Sequence, residues 1–130
     1  MGFFDKFKSQ RDIAKEEIKE VPWIALEREE QLDEIAEIST NTPVLIFKHS
    51  TTCGISRMAL KQFEKEYDLE KKQVEPYFLD LKQYRSVSNA IASKFGVPHE
   101  SPQILLIKNG TAVYNESHGG INVAGVKGKL

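Results

Sequence analysis

One sulfur dominates the chemistry this sequence can perform. Cys53 is the single cysteine in 130 residues, and it opens the tetrapeptide Cys53-Gly54-Ile55-Ser56. An apolar run, residues 44–47, lies upstream, and a segment with helical periodicity follows. That places the thiol where a strand hands over to a helix. A helix N terminus presents unpaired N–H groups and the positive end of the macrodipole, and both favour an anion. A thiolate is such an anion, and thiols at these positions fall from a pKa of about 8.5 into the range of roughly 3.5–7.5. A drop of about two units raises the thiolate fraction at pH 7 from about 3% to about 75%. Intrinsic nucleophilicity falls about 6- to 10-fold at the same time. The net gain in attack is only about 3-fold, so the better leaving group matters as much. Such a sulfur takes up a thiol adduct and surrenders it readily.

Ser56 stands where a C-x-x-C redox pair has its second, resolving cysteine. A hydroxyl can donate a hydrogen bond to a thiolate, but it cannot break a mixed disulfide. The chemistry is therefore monothiol: Cys53 accepts a group on its sulfur and an external thiol removes it. Ser56 is read as a hydrogen-bond partner of the sulfur or as a plain first-turn residue. His49 is read first as a solvated strand-end histidine and second as a group that favours the thiolate when protonated. Lys48 and Arg57 are read as solvated surface before they are read as attractants for an anionic thiol. His99 and His118 are read as loop residues, and Gly119-Gly120 as a turn first and a ligand-binding backbone second.

The elements that must position these groups follow from periodicity. Residues 23–26 are a short first strand, and residues 29–38 a helix with Leu32, Ile35 and Ala36 on one face. Residues 44–47 are continuous and apolar, as a strand buried on both faces is. Ile55, Met58, Ala59, Phe63 and Tyr67 recur at helical spacing, so a helix runs from about residue 53 to 67 with its Ile and Phe positions in the core, and Thr51 or Thr52 caps its start. Residues 77–81 are a strand and residues 86–95 a helix stopped by Gly96. Residues 103–107 and 111–115 are strands joined by Asn109-Gly110, a type I′ hairpin signal. A short helix ends the chain. The order β-α-β-α-β-α-β-β-α implies an α/β fold with a central mixed sheet flanked by helices on both faces. Residues 1–20 are charged and weakly amphipathic, read as an N-terminal helical extension. Residues 21–130 form one domain.

Composition narrows the function. Apolar residues make up 40%, charged residues 28%, and the net charge is −1, so there is no electrostatic case for nucleic acid as partner. No run approaches the roughly 18 apolar residues of a membrane span, and Asp5-Lys6 interrupts Phe3-Phe4 too early for a secretory signal. One cysteine excludes an internal disulfide and fits a reducing cytoplasm. The three histidines are too dispersed for a metal site, and no tightly bound cofactor is expected.

Two stretches carry a family resemblance. Phe95-Gly96-Val97, with Ser101-Pro102-Gln103-Ile104-Leu105-Leu106-Ile107-Lys108-Asn109-Gly110, resembles the second half of thioredoxin-like proteins. The stretch Phe47-Lys48-His49-Ser50-Thr51-Thr52-Cys53-Gly54-Ile55-Ser56-Arg57-Met58-Ala59-Leu60 is similar to the YtxJ-type monothiol bacilliredoxins of the bacillithiol system. The resemblance implies a thioredoxin-like fold and an oxidoreductase with Cys53 as nucleophile and Ser56 as its partner. It implies bacillithiol as co-substrate, S-bacillithiolated proteins as partners, and a low-molecular-weight thiol or another thiol oxidoreductase as reductant. It implies a cis Ser101–Pro102 bond that leaves the Ser101 backbone free to pair with an extended substrate. Thr52, Gly54, Ser101, Pro102, Gly119 and Gly120 are then the expected substrate-binding residues. The chain departs from the pattern at Gly54, where the family often has proline, and at Thr52 and Phe47, where thioredoxins carry an aromatic residue and an acid. Cys53-Gly54-Ile55-Ser56 also resembles the Cys-Gly-Phe-Ser motif of monothiol glutaredoxins, which implies a [2Fe–2S] carrier as an alternative. A redox-inactive thioredoxin-like adapter is the third reading.

Overall fold

The computed structural model describes residues 21–130; the helical extension expected over residues 1–20 lies outside them. In chain order the elements are β1 (Ile24–Ala25), α1 (Glu30–Ile38), β2 (Val44–His49), α2 (Gly54–Glu66), β3 (Glu75–Asp80), α3 (Arg85–Phe95), β4 (Gln103–Lys108), β5 (Thr111–Ser117), a 3₁₀ turn (His118–Gly120) and α4 (Val123–Lys127). They build one five-stranded sheet in the order β1-β3-β2-β4-β5. β1 and β2 run parallel to β3, while β4 is antiparallel to both β2 and β5. The sheet is mixed because β4 enters it antiparallel to β2, and Asn109 and Gly110, at φ 52° and 73°, turn β4 directly into an antiparallel β5; two residues of positive φ are what a type I′ hairpin requires.

β2 is the central strand, and all six of its residues are buried. Its side chains alternate between two cores. Val44 and Ile46 join Leu32 and Ile35 of α1 and Val87 and Ile91 of α3 on one face. Leu45 and Phe47 join Phe63 and Tyr67 around α2 and Val123 and Val126 of α4 on the other. Trp23 closes this second core, edge-on to Phe47 at 5.8 Å and stacked on Phe63 at 6.3 Å. Its Nε1–H donates to the Glu64 carboxylate at 2.7 Å. Burying a side chain of this size stabilises the fold by about 1.5–3 kcal/mol. The short α4 covers its side because Asn122 caps it, accepting from the Gly125 N–H at 2.7 Å.

Several expectations are corrected. β2 continues through Lys48 and His49, which are buried rather than solvated. α2 is capped by neither Thr51 nor Thr52: Cys53 itself takes the N-cap position, with no side-chain cap hydrogen bond. The apolar stripe on α2 is also split. Phe63 is buried, whereas Ile55 and Met58 are 61% and 73% exposed. Their core-facing place in the first turn is taken by Ser56, which is fully buried.

Candidate functional site

The site is assembled at one end of the sheet. β2 ends there, β4 begins there, and β5 returns to it, since Lys48 pairs with Gln103 and Gln103 with Ser117. Cys53 is half-buried and extended, at φ −104° and ψ 121°. Its N–H donates to the Ser50 carbonyl at 3.2 Å, and its carbonyl accepts the first helical bond from Arg57 N–H at 3.1 Å. The thiol therefore stands where the first-turn N–H groups have no carbonyl partners. Gly54, directly after it, is exposed, and a side chain there would meet open space.

What fixes this turn is Ser56. Its hydroxyl accepts from the Ser50 N–H at 3.0 Å and is 2.7 Å from Nδ1 of His49. These bonds run to the end of β2 rather than to the sulfur, so they fasten the first turn of α2 to the strand beneath it. Burial pushes the His49 imidazole below its ordinary pKa, against the opposing pull of Asp80 and Glu64. His49 is therefore a neutral, buried anchor, neither solvated nor a charged neighbour of the thiolate. On the outer side, the Thr52 hydroxyl accepts from Lys82 Nζ at 3.2 Å and the Thr51 carbonyl from Arg57 Nη1 at 3.4 Å. Lys82 carries no sequence signal, because it comes from the loop after β3.

The loop before β4 lies at the same end of the sheet as the start of α2. The Ser101–Pro102 peptide is cis, as the resemblance implied. Pro102 is buried and its carbonyl accepts from the His118 N–H at 3.1 Å. Among the described residues the Ser101 hydroxyl is enclosed without a hydrogen-bond partner, and neither the N–H nor the C=O of Ser101 is taken by another backbone group. Behind it, Gln103 donates through Nε2 to the Pro98 carbonyl at 3.0 Å and accepts from Lys48 Nζ at 3.2 Å. Sequence reading missed Gln103, and it misplaced Lys48. The available signal was strand alternation: carried one residue past Phe47, it puts Lys48 on the core face of Val44 and Ile46.

Gly119 and Gly120 lie in the 3₁₀ turn, which packs against α2. Gly119 is open, whereas a side chain at Gly120 would collide with the Glu116 carboxylate. Thr52, Cys53 and Gly54 thus form one segment, Ser101 and Pro102 start the neighbouring strand, and the two glycines flank α2 at the end of β5. The arrangement offers a thiol at a helix start, at the same end of the sheet as a backbone segment with spare hydrogen-bonding groups. That suits exchange of a sulfur-borne group with an extended partner.

Comparisons with known proteins agree with this geometry. The model of the family described as monothiol bacilliredoxin BrxC matches residues 24–126. A solved structure of a protein described as a candidate oxidoreductase with a thioredoxin fold is 38% identical, covering 81% of this chain and 90% of that one at a TM-score of 0.69. Thioredoxins of Malassezia sympodialis and Fasciola hepatica share the fold at 17% and 20% identity. Their TM-scores are 0.62 and 0.58, each match covers 81% of this chain, and 84% and 93% of those chains are covered.

Proposed function

We propose a monothiol thiol–disulfide exchange for this chain, which belongs to the monothiol bacilliredoxin family and has the thioredoxin fold: it removes bacillithiol from S-bacillithiolated proteins. The observation that carries the reading is the lone Cys53 at the N-cap of α2 with Ser56 in the resolving position, its hydroxyl committed to His49 and Ser50.

The Cys53 thiolate attacks the bacillithiol sulfur of the mixed disulfide. A new S–S bond forms on Cys53, the old one breaks, and the freed protein thiolate leaves and takes a proton from solvent. No net electrons are transferred in this step. A second thiol, from a low-molecular-weight thiol or another thiol oxidoreductase, then attacks the same bacillithiol sulfur. It regenerates Cys53 and leaves as the new disulfide. Exposed Ile55 and Met58, two and five residues beyond the sulfur, offer apolar contact to a protein partner, which favours a protein-borne disulfide over a purely small-molecule one.

The test follows release of bacillithiol from a capped protein. Wild-type chain is expected to liberate it with excess thiol present, and Cys53→Ser to lose at least 100-fold in rate, on the order of what removing a covalent nucleophile costs. A Cys53→Ser chain that still uncaps the protein at the wild-type rate overturns the reading.

A further inference from the structure

Lys48 is a costly side chain to bury. Its ammonium-bearing chain is 0% exposed, and among the described residues its hydrogen bond goes to a neutral amide, Gln103 Oε1 at 3.2 Å. No carboxylate lies within ion-pair distance of it among the described residues. Stability alone argues for an aliphatic residue there, because a buried charge with so few partners is normally worse than a well-packed apolar side chain. Its bond does one specific thing. An amide can turn either end toward Pro98. An ammonium can only donate, so it forces the Gln103 oxygen toward itself and the Gln103 NH₂ toward the Pro98 carbonyl, 3.0 Å away. The loop from Pro98 to Pro102 is thereby tied down at its start by this pair and at its end by His118 N–H on the Pro102 carbonyl. Between the ties lies Ser101, whose hydroxyl is enclosed and without a partner among the described residues.

We propose that Lys48 and Gln103 are positioning residues for thiol exchange: from the sheet face opposite α2 they lock the 98–102 loop so that Ser101 presents its backbone to the extended chain carrying the disulfide. This rests on the exchange reading above. Neither residue touches the sulfur, since Val44, Ile46 and Lys48 share the face of α1 and α3 while Cys53 belongs to α2 on the other. Their effect is therefore on substrate binding and not on the nucleophile. The charged and titratable groups facing Lys48 are Glu100 and His99, itself beside Arg85; all three are exposed.

The experiment compares two reactions of one sulfur in the full-length chain. Alkylation of Cys53 by iodoacetamide needs no loop. Exchange with an extended cysteine peptide, capped in parallel samples by bacillithiol or by glutathione, needs it. Lys48→Met and Gln103→Met are expected to alkylate within about twofold of wild type. Their KM for either peptide should rise about tenfold with kcat unchanged, about what one lost hydrogen bond is worth. The double variant should be no worse than either single one, because the two residues act as one unit. Wild-type KM in both single variants, or alkylation falling in step with exchange, overturns the proposal. So does failure of both variants to fold, which would make the pair purely structural. A wild-type chain that exchanges only with the glutathione-capped peptide removes the bacillithiol reading and leaves this inference to be judged on that peptide. Inertness toward both peptides removes the two together.

Discussion

Lys48 and His49 are neighbours on β2 and both are buried, yet they fall on opposite faces of the sheet and solve the same problem differently. His49 sheds its charge: burial lowers its pKa, and its Nδ1 finds the Ser56 hydroxyl at 2.7 Å. Lys48 is lowered by burial to about 8, which still leaves it mostly protonated at pH 7. Its ammonium is met by a single amide oxygen. The first arrangement is nearly free of electrostatic cost, and it holds the turn that carries the thiol. The second is expensive, and it holds the loop that leads into β4 at the same end of the sheet. The difference teaches that burial of a polar group is cheap where the group can become neutral and hydrogen-bonded, and costly where it keeps a charge.

The largest expected effect lies on the Lys48 side. The folded pKa of about 8 is below the unfolded 10.5, so between these values the unfolded chain binds more protons than the folded one. Stability therefore rises with pH through this window, by about 3 kcal/mol in full. Urea unfolding at pH 7.5 and pH 10 is expected to show most of that rise in the wild type and its absence in Lys48→Met. The buried tyrosines, Tyr67 above all, which burial raises from 10.0 to about 12, begin to ionise in the unfolded chain near pH 10 in both proteins, so the rise is read as the difference between wild type and Lys48→Met. An equal rise in both proteins would place the cost elsewhere.

On the other face, Ser56→Ala leaves the Ser50 N–H and His49 Nδ1 without their partner. It is expected to lower stability by about 1–3 kcal/mol, the cost of stranding buried polar groups. A loss below about 0.5 kcal/mol would mean that the first turn of α2 is held by packing alone.

The smallest effect is the titration of His49. Its folded pKa is below the unfolded one, so the unfolded chain binds more protons near pH 6.5 and wild-type stability falls as pH drops through that value. His49→Asn keeps a polar atom near the Ser56 hydroxyl and removes the titration. Its unfolding curves at pH 7 and pH 5.5 should lie closer together than those of the wild type; an unchanged gap would assign the acid sensitivity to other groups.

Much of this was legible in the amino-acid sequence. The element order, the Gly96 stop at φ 67° and the Asn109-Gly110 turn correspond to the structure, and they are local signals: periodicity and residues that tolerate positive φ. The cis Ser101–Pro102 bond also corresponds, but it came from the family resemblance and not from a local pattern. What escaped depends on pairing at a distance. Lys48 and His49 look like polar residues ending a strand, and only their partners at 103 and 56 explain their burial. Ile55 and Met58 follow helical spacing, but that spacing defines a stripe without saying where the core stops. Here it stops short of the first turn, where buried Ser56 replaces them. Lys82 reaches Thr52 across 30 positions of sequence, a contact that no pattern in the chain announces.

The account stands on Cys53 as the acceptor of a group carried by another sulfur. Intact-mass spectrometry of the chain after mixing with an S-bacillithiolated protein, before any reductant is added, reads that step directly. The expected result is one bacillithiol adduct on the wild-type chain, mapped to Cys53 and missing from Cys53→Ala, with an equal loss of cap from the donor. An unmodified chain beside a still-capped donor would contradict it.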